Sequence, residues 1–132
     1  IRVGMLDEGQ NLWLLELVAG MVESGEEPIE VAARESLEEA NTKPQDLLQI
    51  CEYYNSPGIS NERITLFCGR VDSTQAGGIF GLDAEHEDIE VVVLSLADAL
   101  AKVASGEINN AMSIIALQWL QLNQPMLEES WK

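Results

Sequence analysis

Glu35, Glu38 and Glu39 crowd one short stretch of a 132-residue chain whose local pattern is helical. On a helical wheel the three carboxylates share an arc of roughly 100°. They lie beside an apolar stripe formed by Ile29, Ala32, Ala33, Leu37 and Ala40. Glu35 is one turn from both Glu38 and Glu39, and like charges at those spacings destabilise a helix. Arg34 stands where it can relieve Glu30 and Glu38, but no basic residue stands at helical spacing from Glu35 or Glu39. Two such carboxylates on the core-side edge of a helix suit a hard cation, Mg²⁺ or Mn²⁺. Spacing alone leaves a second reading open, that of a solvated acidic face.

The elements that position these residues follow from the flanking sequence. Leu12 to Ala19 reads as a buried strand ending at Gly20. The turn-rich stretch 23–27 leads to Pro28, which suits a first helical turn, and the helix runs to Ala40 with Asn41 as its left-handed stop. Ile1-Arg2-Val3 already reads as strand, so an N-terminal segment is expected to precede it. Leu47 to Tyr54 and Ile64 to Val71 are strand candidates joined by a loop at 55–62. Asp72 to Asp88 reads as an irregular, Gly-rich acidic segment, and Ile89 to Leu94 as another strand. Ser95 and Gly106 bracket a helix. A last helix is expected from Ala111 to Leu122, with Met112, Ile115, Trp119 and Leu122 on one face. Strands mixed with helices, and no linker, indicate a single α/β sandwich over residues 1–132.

Composition narrows the chemistry further. A net charge of −16 disfavours nucleic acid or an anionic membrane as a partner. It does not disfavour phosphate substrates whose charge divalent cations neutralise. Cys51 and Cys68 lie in apolar strand-like runs without metal-site spacing, and are expected to be reduced thiols of a cytoplasmic protein. No apolar run has the length of a membrane-spanning helix.

Gly20, five residues, Glu26, seven residues, then Arg34-Glu35-Ser36-Leu37-Glu38-Glu39 resembles the Nudix box, G-x5-E-x7-R-E-U-x-E-E-x-G-U with U aliphatic. Ser36 and Thr42 stand where that pattern has aliphatic residues, and Asn41 where it has Gly. Those departures touch packing and capping rather than carboxylates. The chain is further similar to the bacterial ADP-ribose pyrophosphatases of the Nudix family, through Leu12 to Gly20, Ser56-Pro57-Gly58 with Glu62, and Gly81 to Asp88. Ile59 replaces a Gly common after that Pro-Gly pair.

The resemblance implies a Nudix fold, an α/β/α sandwich with a mixed β-sheet, and Mg²⁺-dependent hydrolysis of ADP-ribose to AMP and ribose 5-phosphate. Glu35, Glu39, the Ala19 carbonyl and Glu87 would ligate more than one Mg²⁺, with Mn²⁺ an alternative. Glu38, held by Arg34, would share in binding the metal or stand just behind its ligands, and Glu85 would be the general base, these three forming the catalytic set. Arg2, Glu16 and Glu62 would hold the diphosphate and ribose of a nucleoside diphosphate sugar. A homodimer exchanging N-terminal strands is implied as well. Two rivals remain: a pyrophosphatase for another nucleotide sugar such as GDP-mannose, and a non-catalytic module that binds ADP-ribose. Such modules typically lose box glutamates, and here all are present.

Overall fold

The first strand, β1 (Arg2–Asp7), forms an antiparallel hairpin with β2 (Gln10–Leu15), Arg2 facing Leu15 and Met5 facing Leu12. The computed structural model that shows this describes residues 2–7, 10–76, 78–80 and 89–132. Glu85 and Glu87 lie outside the described residues. On the other side of β1 runs β6 (Ile89–Val91), with Val3 opposite Ile89, and β6 in turn carries β5 (Gly78–Phe80). The sheet order is thus β2-β1-β6-β5. A separate two-stranded sheet pairs β3 (Gln45–Tyr54) with β4 (Arg63–Arg70), its register slipping twice before Cys51. The ladders among the described residues are antiparallel, so the parallel pairing of a mixed sheet is not found among them.

Helix α1 spans Pro28–Ala40, the bounds expected from sequence. Pro28 pre-sets the first turn, and Asn41 ends the helix in the left-handed conformation at φ 49° and ψ 35°. The stop is reinforced by the residues that depart from the family pattern. Asn41 N donates to Leu37 O at 3.1 Å and Thr42 N to Ser36 O at 3.0 Å. The buried Thr42 hydroxyl adds a third bond, to Ser36 O at 3.2 Å, while the Ser36 hydroxyl donates to Ala32 O at 2.7 Å. The buried face of α1 differs from the expected stripe. Val31 and Ala40 are buried, whereas Ile29 and Leu37 are 44% and 55% exposed. Val31 shares its face with Glu35 four residues on, so the carboxylates stand nearer the core than the stripe suggested.

Asn41 yields a direct test of this cap. A β-branched residue in the left-handed region costs about 1–2 kcal/mol, and Gly there costs nothing. Asn41→Val is therefore expected to lower stability by about 1–2 kcal/mol and Asn41→Gly to leave it no lower than wild type. Urea unfolding of both variants checks this, and an unchanged midpoint for Asn41→Val would contradict the cap.

Helix α1 touches β4, β5 and β6, and so ties the two sheets together. Helix α2 (Leu96–Ser105) begins as expected at Ser95, whose hydroxyl accepts from Asp98 N at 3.1 Å and donates to the Asp98 carboxylate at 2.6 Å. It packs on α3 (Ala111–Ser130), which also reaches β4. This mixed α/β arrangement buries Ile89 almost completely, at 1% exposure.

Three sequence expectations shift. The strand expected through Ala19 ends at Leu15, whose carbonyl accepts from Asn110 Nδ2 at 2.8 Å. Residues 16–20 then run free of strand pairing toward α1. The supposedly irregular stretch 72–88 contains a 3₁₀ turn (Ser73–Gln75) and β5. Helix α3 runs eight residues beyond Leu122, through Pro125. Tertiary contacts carry it past that breaker: Leu127 is 3% exposed and the Trp131 carbonyl accepts from Arg70 Nη1 at 3.1 Å. The face that goes deepest is Ser113, Ala116 and Leu127, whereas Leu122 is 81% exposed.

Candidate active site

Two segments meet beyond the end of β2: the irregular backbone at Ala19-Gly20 and the carboxylate-bearing face of α1. Gly20 sits so close to Glu35 that a Cβ at position 20 would overlap the Glu35 carboxylate. Next to it, Ala19 N points at Glu39 Oε2 across 3.4 Å. Glu35 and Glu39 therefore converge on one stretch of backbone. A side chain at position 20 would have to displace the Glu35 side chain, and this close approach accounts for the glycine.

Arg34 organises the carboxylates. Its Nη1 lies 2.9 Å from Glu35 Oε1 and 3.1 Å from Glu38 Oε2, and its Nη2 lies 3.8 Å from Glu26 Oε1. The ion pair with Glu38 is the expected one. The pair with Glu35 corrects the expectation that Glu35 lacks a basic neighbour. Adjacent helical residues do not face each other, but the long arginine stem lets one guanidinium nitrogen sit between both acids. Glu26 stands in the cluster where helical spacing had pointed to Glu30. Desolvation lowers the Arg34 pKa, but the charges of Glu35, Glu38 and Glu26 outweigh it and raise the value overall. Glu26 also accepts from Glu23 N at 3.0 Å, which shapes the loop ahead of the helix. Its role escaped the residue-level reading, although its fixed place in the box pattern was the available signal.

The side chain of Glu35 is 15% exposed, against 40% for Glu38. Among the described residues no group of three or more His, Cys, Asp or Glu side chains stands ready to hold a metal ion. Magnesium does not require one, since one or two carboxylates, waters and substrate phosphates are its usual ligands. Glu35 and Glu39, two hard carboxylates beside the Ala19 backbone, fit that requirement.

Three of the other expected site residues lie among the described residues. Arg2 lies on β1 with its backbone paired to Leu15 and Glu90. Glu16 lines a cavity of about 200 Å³ together with Leu15, Leu17, Val92, Leu94 and Leu117. Glu62 closes the loop between β3 and β4, where its carboxylate accepts from Asn55 Nδ2 at 2.8 Å. Tyr53, just before this loop, has its phenol pKa raised by burial, then by Cys51 and by Glu62. Cys51 and Cys68 are free thiols, and burial raises the pKa of Cys68. No helix among the described residues is long and apolar enough to cross a membrane.

The model of the NUDIX domain matches residues 3–113. An ADP-ribose pyrophosphatase of Haemophilus influenzae is 52% identical over 100% of this chain and 62% of its own length. An ADP-ribose pyrophosphatase of Escherichia coli K12 is 45% identical over 99% of this chain and 63% of its own. A GDP-mannose pyrophosphatase of Escherichia coli O1:K1 is 31% identical over 86% of this chain and 58% of its own. The chain spans about three fifths of the length of the curated relatives it matches.

Proposed function

The chain belongs to the NUDIX family, and from that premise we propose that it is a divalent-metal-dependent pyrophosphohydrolase that converts ADP-ribose and water to AMP and ribose 5-phosphate. The observation that carries the proposal is the convergence of Glu35 and Glu39 on the Ala19-Gly20 backbone, with Arg34 bracing Glu35 and Glu38. The similarity to ADP-ribose pyrophosphatases across almost the whole chain supports ADP-ribose as the substrate.

Glu35 and Glu39, with the Ala19 carbonyl and Glu87, would hold the divalent ion, which would neutralise the pyrophosphate and lower the pKa of an attacking water. Arg34 keeps two of the box carboxylates in place while charge builds at phosphorus. Glu85 takes the proton of the water as its oxygen bonds to phosphorus and the bridging P–O bond breaks. A base cannot be spent as a metal ligand, and Glu85, which lies outside the box helix in the sequence, is suited to that division of labour. Arg2 supplies a cation for the diphosphate, and the carboxylates of Glu16 and Glu62 accept hydroxyl groups of the sugars.

A substrate panel with Mg²⁺ tests this reading. The full chain should hydrolyse ADP-ribose with a higher kcat/KM than GDP-mannose, AMP and ribose 5-phosphate being the products. A higher value for GDP-mannose would move the protein to the second substrate class. Binding of ADP-ribose without turnover would make it a binding module instead.

A further inference from the structure

The loop between β3 and β4 holds one exposed carboxylate with unusual firmness. Glu62 is exposed, so nothing in its burial demands partners. Yet Glu62 N donates to the Ser60 hydroxyl at 3.0 Å, and Glu62 O accepts from Asn55 N at 3.0 Å. Its Oε2 accepts from Asn55 Nδ2 at 2.8 Å. The loop between them is itself folded on Ser56, whose carbonyl accepts from Ile59 N at 3.0 Å and Ser60 N at 2.9 Å. Asn55 thus grips Glu62 twice, by main chain and by side chain.

An exposed glutamate normally spreads over several rotamers, and a ligand that needs one of them must first overcome that freedom. The Asn55 amide removes it in advance. It occupies one lone pair of Oε2 and leaves the other lone pair of Oε2 and both of Oε1 for further donors. Such free acceptor positions on both oxygens of one oriented carboxylate match a pair of neighbouring hydroxyl groups, such as those of a ribose ring. We infer that Asn55 is a positioning residue that presents the Glu62 carboxylate to the sugar hydroxyls of the substrate. The inference rests on the proposed role of Glu62 and adds to it the residue that makes Glu62 effective.

The test is a double-mutant cycle on the full chain with ADP-ribose and Mg²⁺, using Asn55→Ala, Glu62→Ala and the double variant. Asn55→Ala should raise KM about tenfold, since one ordered long side chain and one charge-assisted bond are lost, and should change kcat by less than about twofold. In the Glu62→Ala background the same change should raise KM by less than about twofold, because the group it orients is gone. Asn55→Asp keeps shape and the main-chain bond but sets a second carboxylate against Glu62, so its KM should rise at least as far. That variant also carries the test if Asn55→Ala fails to fold. A similar KM rise from Asn55→Ala in both backgrounds, or a wild-type KM for Asn55→Asp, would overturn the inference alone. A wild-type KM for Glu62→Ala would remove the sugar role of Glu62 and the inference with it.

Discussion

Glu39→Gln is expected to lower kcat about a hundred- to thousandfold, because a metal ligand contributes several kcal/mol of transition-state charge stabilisation and each ~1.4 kcal/mol is tenfold. The substitution preserves shape. A glutamine oxygen still accepts from Ala19 N, which now lies 3.4 Å from Glu39 Oε2, so the fold has no reason to fail. What disappears is one negative charge beside the Ala19-Gly20 backbone. Raising the Mg²⁺ concentration should recover part of the loss, since the defect lies in cation affinity. Glu85→Gln separates the roles: it should also depress kcat, but leave the Mg²⁺ requirement where it was, because a general base touches the water rather than the cation. Steady-state kinetics across a Mg²⁺ titration read both. Near-normal kcat in a well-folded Glu39→Gln protein would end the metal-site assignment.

Gly20→Ala should be almost as damaging and for a different reason. The new methyl group would occupy the space of the Glu35 carboxylate. Glu35 is the flexible partner and gives way by rotating, which costs little stability. It then leaves both Arg34 Nη1, now 2.9 Å away, and the point where Glu39 also converges. A misplacement of about 1 Å in a catalytic constellation costs on the order of a hundredfold. The expected result is a roughly hundredfold fall in kcat/KM with an unfolding midpoint close to wild type. A large fall in that midpoint with unchanged kcat/KM would mean that Gly20 serves the fold and not the site.

The box helix was legible in the sequence because every signal for it is local. Pro28 opens it, Asn41 closes it, and the spacing of Arg34, Glu35, Glu38 and Glu39 puts their side chains on neighbouring parts of one cylinder. Helix α2 was legible for the same reason, through Ser95 and Gly106. Local rules failed where distant residues decide. The tail of α3 crosses Pro125 because Leu127 is buried and Arg70, 61 positions from Trp131, takes its carbonyl; a window around Pro125 contains Leu127 but neither what buries it nor Arg70. Short β5 exists because β6 lies beside it, pairing Gly78 with Val91.

In the site the division is similar. Residue types and spacing alone determined that α1 carries a set of acids with one arginine among them. Only the tertiary structure decided what those acids face. The end of β2 at Leu15 frees residues 16–20, and Ala19 and Gly20 close against Glu39 and Glu35. Arg34 then reaches an adjacent acid and a loop acid, Glu35 and Glu26, that helical spacing does not place beside it. Asn55 and Glu62 stand seven positions apart with no periodic relation, and their bond exists because β3 and β4 bring the two ends of the loop together. Periodicity describes a side chain relative to its own helix or strand; which backbone turn or loop lies opposite depends on how the elements pack.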